Sequence, residues 1–187
     1  MKQGFVKVAS ATPRIRVADP VYNAQVICEQ AKEAAEHGAK IVVFPELCIT
    51  GYTCNDLFLQ ELLLEKAKEA LLTIAEETGQ LETLFLVGLP VDKDGRLYNV
   101  AAVLYRGRIL GMIPKKNIPM YAEFYEGRHF TPGEETVTEY RLGKQVIPFG
   151  SNLLFRCEEL PELILGCELC EDLWSAQPPS VFHAVNG

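Results

Sequence analysis

The stretch Asp94-Gly95-Arg96-Leu97-Tyr98-Asn99-Val100-Ala101-Ala102-Val103-Leu104-Tyr105-Arg106-Gly107-Arg108-Ile109-Leu110-Gly111-Met112-Ile113-Pro114 decides the fold class. Asp94-Gly95 and Arg106-Gly107 are tight-turn pairs bracketing apolar runs, a pattern that predicts a meander of antiparallel hairpins. The chain before it reads differently. Phe5 to Ala9 predicts a strand, and Asp19-Pro20 supplies a helix N-cap followed by proline at the first helical position. Val21, Ala24, Ile27, Cys28, Ala31, Ala34 and Ala35 then recur at steps of three and four until Gly38 closes the helix. Ile41 to Phe44 is a short continuous apolar run, read as a strand buried on both faces. A second helix is expected between about Asp56 and Thr78, on Leu62, Leu63, Lys66, Ala67, Ala70, Leu71 and Ile74, with Gly79 as its stop, before Leu84 to Leu89 returns as a strand. Strand and helix alternating into a meander predict an α/β layer built on a mixed sheet.

From Lys115 to Gly133 periodicity fades and aromatic and charged side chains crowd together: Tyr121, Glu123, Phe124, Tyr125, Glu126, Arg128, His129 and Phe130. Loops of this composition tend to carry function. Short strands are expected around Thr136 to Tyr140, Gln145 to Pro148, Asn152 to Arg156 and Leu163 to Cys167, and Pro178-Pro179 opens a further helix. With 187 residues, 48% of them hydrophobic, residues 1–187 are read as one domain or the larger part of one. A net charge of -7 with scattered lysines and arginines lacks the footprint of a nucleic-acid binder and favours a small-molecule substrate. Met1-Lys2-Gln3-Gly4 does not open a signal peptide and no run is long enough for a membrane span, so a cytoplasmic location is expected. Six cysteines beside an adequate core are read as free thiols.

Three sites carry candidate chemistry, each at the end of an apolar strand. Leu163 to Leu165 feeds Gly166-Cys167-Glu168-Leu169-Cys170-Glu171-Asp172-Leu173-Trp174, which can present a thiol to a pocket. Ile41-Val42-Val43-Phe44-Pro45-Glu46 ends in a carboxylate among apolar neighbours, a possible base. Ile113-Pro114-Lys115 ends in an ammonium that could steady an oxyanion, although Lys116 beside it is equally charged and local sequence does not choose between them. A free thiol, with a pKa of about 8.5, needs such company to attack. Cys167 and Cys170 form a CxxC, but they close a strand where a redox pair normally opens a helix, and a zinc site needs about four ligands. Their odd separation puts them on opposite faces of an extended chain, Cys167 packed and Cys170 exposed. Of the histidines, only His129 in the aromatic loop is a candidate partner for a cysteine.

Together, Phe44-Pro45-Glu46-Leu47 with Gly51-Tyr52, Pro114-Lys115 with Ile118-Pro119, and Cys170-Glu171-Asp172-Leu173-Trp174 resemble the three ordered motifs of the nitrilase (carbon-nitrogen hydrolase) superfamily. Gly51-Tyr52-Thr53-Cys54-Asn55-Asp56-Leu57-Phe58 and Pro119-Met120-Tyr121-Ala122-Glu123-Phe124-Tyr125-Glu126 are similar to its subgroup of glutaminase domains from glutamine-dependent NAD synthetases. The resemblance covers nearly the whole chain. It implies a four-layer α-β-β-α sandwich, with Glu46 as general base, Lys115 as oxyanion stabiliser and Cys170 as nucleophile in glutamine amide hydrolysis. It places Tyr52, Tyr121, Phe124 and Glu126 around the substrate, with Glu126 either supporting the lysine or binding the amino group of glutamine. No cofactor or metal is implied for that reaction; ATP and Mg are implied only for a synthetase domain, which would follow as part of the same full-length protein. The chain is then expected to be the N-terminal part of a longer domain, truncated before its last strands, with open apolar edges and association into a homo-oligomer. Two other readings stand beside this one: a stand-alone amidase acting on another small amide, and a non-catalytic module holding a metal on Cys167 and Cys170.

Overall fold

The computed structural model describes residues 4–186, so the expectations attached to Met1-Lys2-Gln3 and to Gly187 lie outside the described residues. The strands are β1 (Val8–Ser10), β2 (Ile41–Val43), β3 (Leu84–Lys93), β4 (Arg96–Tyr105), β5 (Arg108–Pro114), β6 (Thr138–Leu142), β7 (Gln145–Phe149), β8 (Phe155–Arg156) and β9 (Ile164–Leu165). The helices are α1 (Pro20–Glu36), α2 (Glu61–Glu77), α3 (Glu171–Trp174) and α4 (Pro179–Val185), with 3₁₀ turns at Tyr52–Leu59 and Glu126–Arg128. Strands β1 to β7 form one sheet in the order β1-β2-β3-β4-β5-β7-β6, and β8 pairs with β9 alone. The sheet is mixed: β1, β2 and β3 run parallel, β3-β4-β5 is the antiparallel meander, and β7 joins β5 in parallel.

The turns do what their residues require. Asp94-Gly95 and Arg106-Gly107 each take positive φ at both positions, 53° and 72°, then 48° and 75°. These are type I′ turns, whose twist suits the strands they join. Asp19 caps α1 by accepting from the Tyr22 amide at 3.1 Å, with Pro20 at the first position. Helices α1 and α2 lie against one face of the sheet. Ile27 and Ala31 of α1 and Leu71 and Ile74 of α2 join Val87 and Leu89 of β3 and Val100 and Ala102 of β4 in one core. Each large side chain in it contributes about 1.5–3 kcal/mol by leaving water.

On the opposite face Ala101, Val103 and Ile113 pack with Leu153, Phe155, Cys167 and Leu169, so the β8-β9 layer covers β4 and β5. Gly111 permits this approach, because a Cβ there would stand 2.9 Å from both Leu153 and Phe155. His183 of α4 rests against Gly166, just beyond β9. Coverage stops short of β1 and β2, where Val8 is 64% exposed and Val43 45%. The strand at 41–44 is therefore buried on its helix-facing side through Val42 and only partly on the other.

The second predicted helix begins later than its residues suggest. Asn55 has φ 50° and ψ -131° and Gln60 is extended, so Tyr52–Leu59 turns as 3₁₀ and α2 starts at Glu61. The buried stripe is Leu63, Leu64, Ala67, Ala70, Leu71, Ile74 and Ala75. Leu62 is 70% exposed and Lys66 faces Glu69, so these two do not belong to it. The first strand is also displaced, covering Val8–Ser10 where Phe5 to Ala9 was expected.

Candidate active site

Glu46 sits in a compact turn after β2. The Phe44 amide bonds to the Leu86 carbonyl at 2.9 Å, the Cys48 amide to Pro45 at 3.2 Å, and the Ile49 amide to Gly88 at 3.1 Å. The turn lies directly on β3 at Gly88. Any Cβ there would collide with the Leu47 amide nitrogen and stand 2.7 Å from the Pro45 carbonyl. Buried Asn23 of α1 adds a tie, donating to the Ile49 carbonyl at 2.9 Å.

Lys115 leaves the end of β5 with its amide bonded to the Asn99 carbonyl of β4 at 2.8 Å. Its side chain is fully enclosed, and Nζ donates to Glu46 Oε1 at 2.8 Å and to Glu126 Oε1 at 2.6 Å. Glu126, also buried, opens the second 3₁₀ turn. Its Oε1 accepts the Tyr52 hydroxyl at 2.8 Å and its Oε2 accepts Asn99 Nδ2 at 3.3 Å. The same Asn99 nitrogen donates to Glu46 Oε1 at 2.7 Å. The cluster thus holds two carboxylates around one ammonium. Burial alone would lower the Lys115 pKa, but Glu46 and Glu126 outweigh it and hold the ammonium above its usual range. Burial first, and then Glu126, also push up the Tyr52 hydroxyl.

Cys170 adopts φ 44° and ψ -98° at the start of α3. For a residue with a Cβ this conformation costs on the order of 1–3 kcal/mol and persists only when its surroundings hold it. Here the holder is Asp172. Its buried carboxylate accepts the Leu169 amide at 3.1 Å, the Asn117 amide at 2.7 Å, the Asn117 side chain at 3.0 Å and the Lys116 amide at 3.1 Å. One side chain therefore fastens the cysteine turn to the segment that follows Lys115. The Cys170 thiol is pushed up by partial burial and by Glu46 and Glu126, against the opposing pull of Lys115. It is a neutral thiol at rest, within the field of the carboxylate–lysine cluster.

The remaining predicted residues divide between near and far. Tyr121 donates its hydroxyl to Glu171 at 2.8 Å and meets Phe124 edge to face at 5.7 Å, beside the residue that follows the thiol. Lys116 pairs with Glu135 and takes no part in the cluster, so burial distinguishes it from Lys115. His129 turns away to Asp56, at 3.0 Å, and packs against Phe58; it is not the partner of a cysteine. Asp56 also receives Arg128 at 2.8 and 3.0 Å, and these hydrogen bonds hold its carboxyl well below the usual carboxylate range. Cys167 packs among apolar side chains, its thiol pushed by burial to about 12, while Cys170 is exposed. The odd spacing predicts this split. All six cysteines are free.

Two residues that carry this geometry escaped the sequence reading. Asn99 was counted within the apolar run of β4, where it is the only side-chain amide; that was the available signal. Asp172 stood inside a motif without a task. Nothing local reveals that, besides the Leu169 amide, its partners at Lys116 and Asn117 lie more than fifty residues away.

A mixed sheet with helices on one face, a small antiparallel layer on the other and buried charges at the strand ends defines an α/β protein of the nitrilase-like fold. The carbon-nitrogen hydrolase family matches residues 7–179, and the chain belongs to that family. It is 39% identical over 186 residues to the glutamine-dependent NAD(+) synthetase of Mycobacterium tuberculosis, covering 100% of this chain and 27% of that protein. The enzyme of that name from Thermotoga maritima is 32% identical over 180 residues, with 96% and 27% covered. The chain thus spans about 27% of the length of these curated relatives. Among solved structures, glutamine-dependent NAD(+) synthetase from Cytophaga hutchinsonii superposes with a TM-score of 0.82 at 29% identity, over 89% of this chain and 28% of that one. An amidase from Nesterenkonia sp. AN1 shares the fold at 22% identity, with a TM-score of 0.60 over 77% of this chain and 56% of that one. Among the described residues, no helix is long and apolar enough to cross a membrane.

Proposed function

We propose that this site hydrolyses the side-chain amide of glutamine through a thioester on Cys170. The observation that carries the reading is the enclosed Glu46–Lys115–Glu126 cluster, whose charges act on the Cys170 thiol. A neutral thiol must lose its proton as it attacks, so a base is required. Glu46 takes that proton while Cys170 Sγ bonds to the amide carbon, then delivers it to the nitrogen, and ammonia leaves. Water next gives a proton to Glu46 and adds to the thioester; glutamate departs as the thiol is regenerated. Lys115 has three N–H donors, of which two are engaged by Glu46 and Glu126. The third serves the oxyanion, a contact worth about 3–4 kcal/mol when preorganised. Glu126 supports the lysine, because its buried carboxylate is already committed to Lys115, Tyr52 and Asn99. Tyr52, Tyr121 and Phe124 border the amino-acid end of the substrate.

A thiol, a base and a cation suffice for this chemistry, so the amide step is assigned no cofactor. The names of the longer relatives support a second assignment, that the ammonia feeds a synthetase segment of the same full-length protein that makes NAD; the use of ATP and Mg by that segment is part of the same proposal. In this reading residues 1–187 are the N-terminal part of the glutaminase domain, and the assembled enzyme is a homo-oligomer. The test is ammonia release from glutamine by the full-length protein, compared with a panel of other small amides. Loss of glutamine-dependent ammonia in Cys170→Ala is expected. Retention of full activity, or a preference for another amide, would overturn the assignment.

A further inference from the structure

Asn99 is fully buried in the middle of β4 and spends its side-chain nitrogen on two carboxylates at once, Glu46 Oε1 at 2.7 Å and Glu126 Oε2 at 3.3 Å. Its own oxygen, Oδ1, is buried and has no partner among the described residues. An orphaned carbonyl oxygen is unfavourable, and a core strand would ordinarily place an apolar residue here. The alternative orientation is worse, because turning the amide over would set its oxygen against two carboxylates. The arrangement therefore makes sense only if the paired N–H groups are what the position is for.

We infer that Asn99 is a positioning residue for the base: by bridging Glu46 and Glu126 it fixes the Glu46 carboxylate so that Oε1 is occupied and Oε2 is left to receive the Cys170 proton. Oε1 already accepts Lys115 Nζ at 2.8 Å, so the second bond from Asn99 stops the carboxylate from rotating about the lysine. The charged and titratable groups facing this point are Glu46, Glu126, Lys115, Tyr52 and Cys170, from the turn after β2, the second 3₁₀ turn, the end of β5, the first 3₁₀ turn and the start of α3. Losing a donor to an ionised carboxylate favours its protonated form. Any step that needs the ionised base must then shift to higher pH.

The inference rests on the proposed amide hydrolysis, so the test has two readouts on the full-length protein. One is the pH profile of kcat and KM for glutamine. The other is the pH profile of Cys170 alkylation by iodoacetamide, which needs no amide substrate. In Asn99→Leu, which matches the volume and removes the donors, the acid limb of the kcat profile should move to higher pH, while the alkylation limb should move to lower pH because a protonated Glu46 no longer opposes the thiolate. At neutral pH kcat should fall about 10- to 100-fold with KM changed less than about twofold, as expected when a proton-transfer group loses its alignment. Asn99→Asp covers the case in which the leucine variant fails to fold. It should approach wild-type behaviour at acid pH, where its carboxyl is protonated and can donate, and fall away as pH rises. Limbs that do not move in either variant, or a loss of kcat that tracks only thermal stability, would overturn the inference. A shifted alkylation limb in a protein that releases no ammonia from glutamine would sink the substrate reading and sustain the role of Asn99.

Discussion

Replacing Lys115 by methionine keeps the volume of the side chain and removes its charge. In the structure that charge is fully enclosed, with carboxylate oxygens at 2.8 Å and 2.6 Å. At an effective dielectric of about 20, each attraction has a gross magnitude of about 6 kcal/mol. Much of that is offset by the desolvation of the ions themselves, so the net consequence is read from broken buried pairs, about 3–5 kcal/mol. For a chain of 187 residues this corresponds to a fall in Tm of about 6–20 °C. The sign of the pH dependence is equally specific. Without the ammonium, the buried Glu126 carboxylate favours its protonated form, so the folded variant binds a proton that the unfolded chain gives up at about pH 4.3. Lys115→Met should therefore recover stability as pH falls and lose it as pH rises, across the range between that value and neutrality. Glu126→Gln on the same background should restore at least half of the loss by removing the stranded charge. Denaturation at pH 5 and pH 7.5 provides the check. A loss below about 1 kcal/mol, equal at both pH values, would refute the claim that Lys115 is the counter-ion of the cluster.

Cys170 should react with iodoacetamide ahead of Cys167, whose thiol is packed and pushed up to about 12, and its rate should still be climbing above pH 8; peptide mapping after brief labelling reads both. Asp172→Asn puts an amide N–H against a backbone donor and removes the charge that several donors share, so about 2 kcal/mol of stability should go, along with the labelling preference for Cys170. Gly88→Ala forces a Cβ against the backbone of Pro45 to Leu47 and should lower stability by about 1–3 kcal/mol with a disproportionate loss of activity. Asp56→Ala removes an exposed tie between the two 3₁₀ turns and should leave Tm nearly unchanged; a large fall would mean that the tie is structural.

What could be read from the sequence follows the range of the forces involved. The meander was legible because Asp94-Gly95 and Arg106-Gly107 specify their turns locally, and α1 because Asp19, Pro20 and Gly38 mark both ends. The start of α2 was not, since Asn55 and Gln60 break the helix through backbone angles that a stripe of leucines does not reveal. Glu46, Lys115 and Cys170 were visible as polar residues ending apolar strands. Burial separated Lys115 from Lys116, and burial is a property of the assembled sheet. Asn99 acts through partners distant in sequence, and Asp172 joins the nearby Leu169 amide to a segment more than fifty residues away, so no window along the chain contains their meaning.

The most direct measurement is intact-protein and peptide mass analysis of the full-length protein quenched during turnover with glutamine. The account predicts a glutamyl group on Cys170, formed as ammonia is released, missing in Cys170→Ala and formed much more slowly in Glu46→Gln. Steady ammonia production with Cys170 unmodified throughout, and undiminished in the alanine variant, would contradict it.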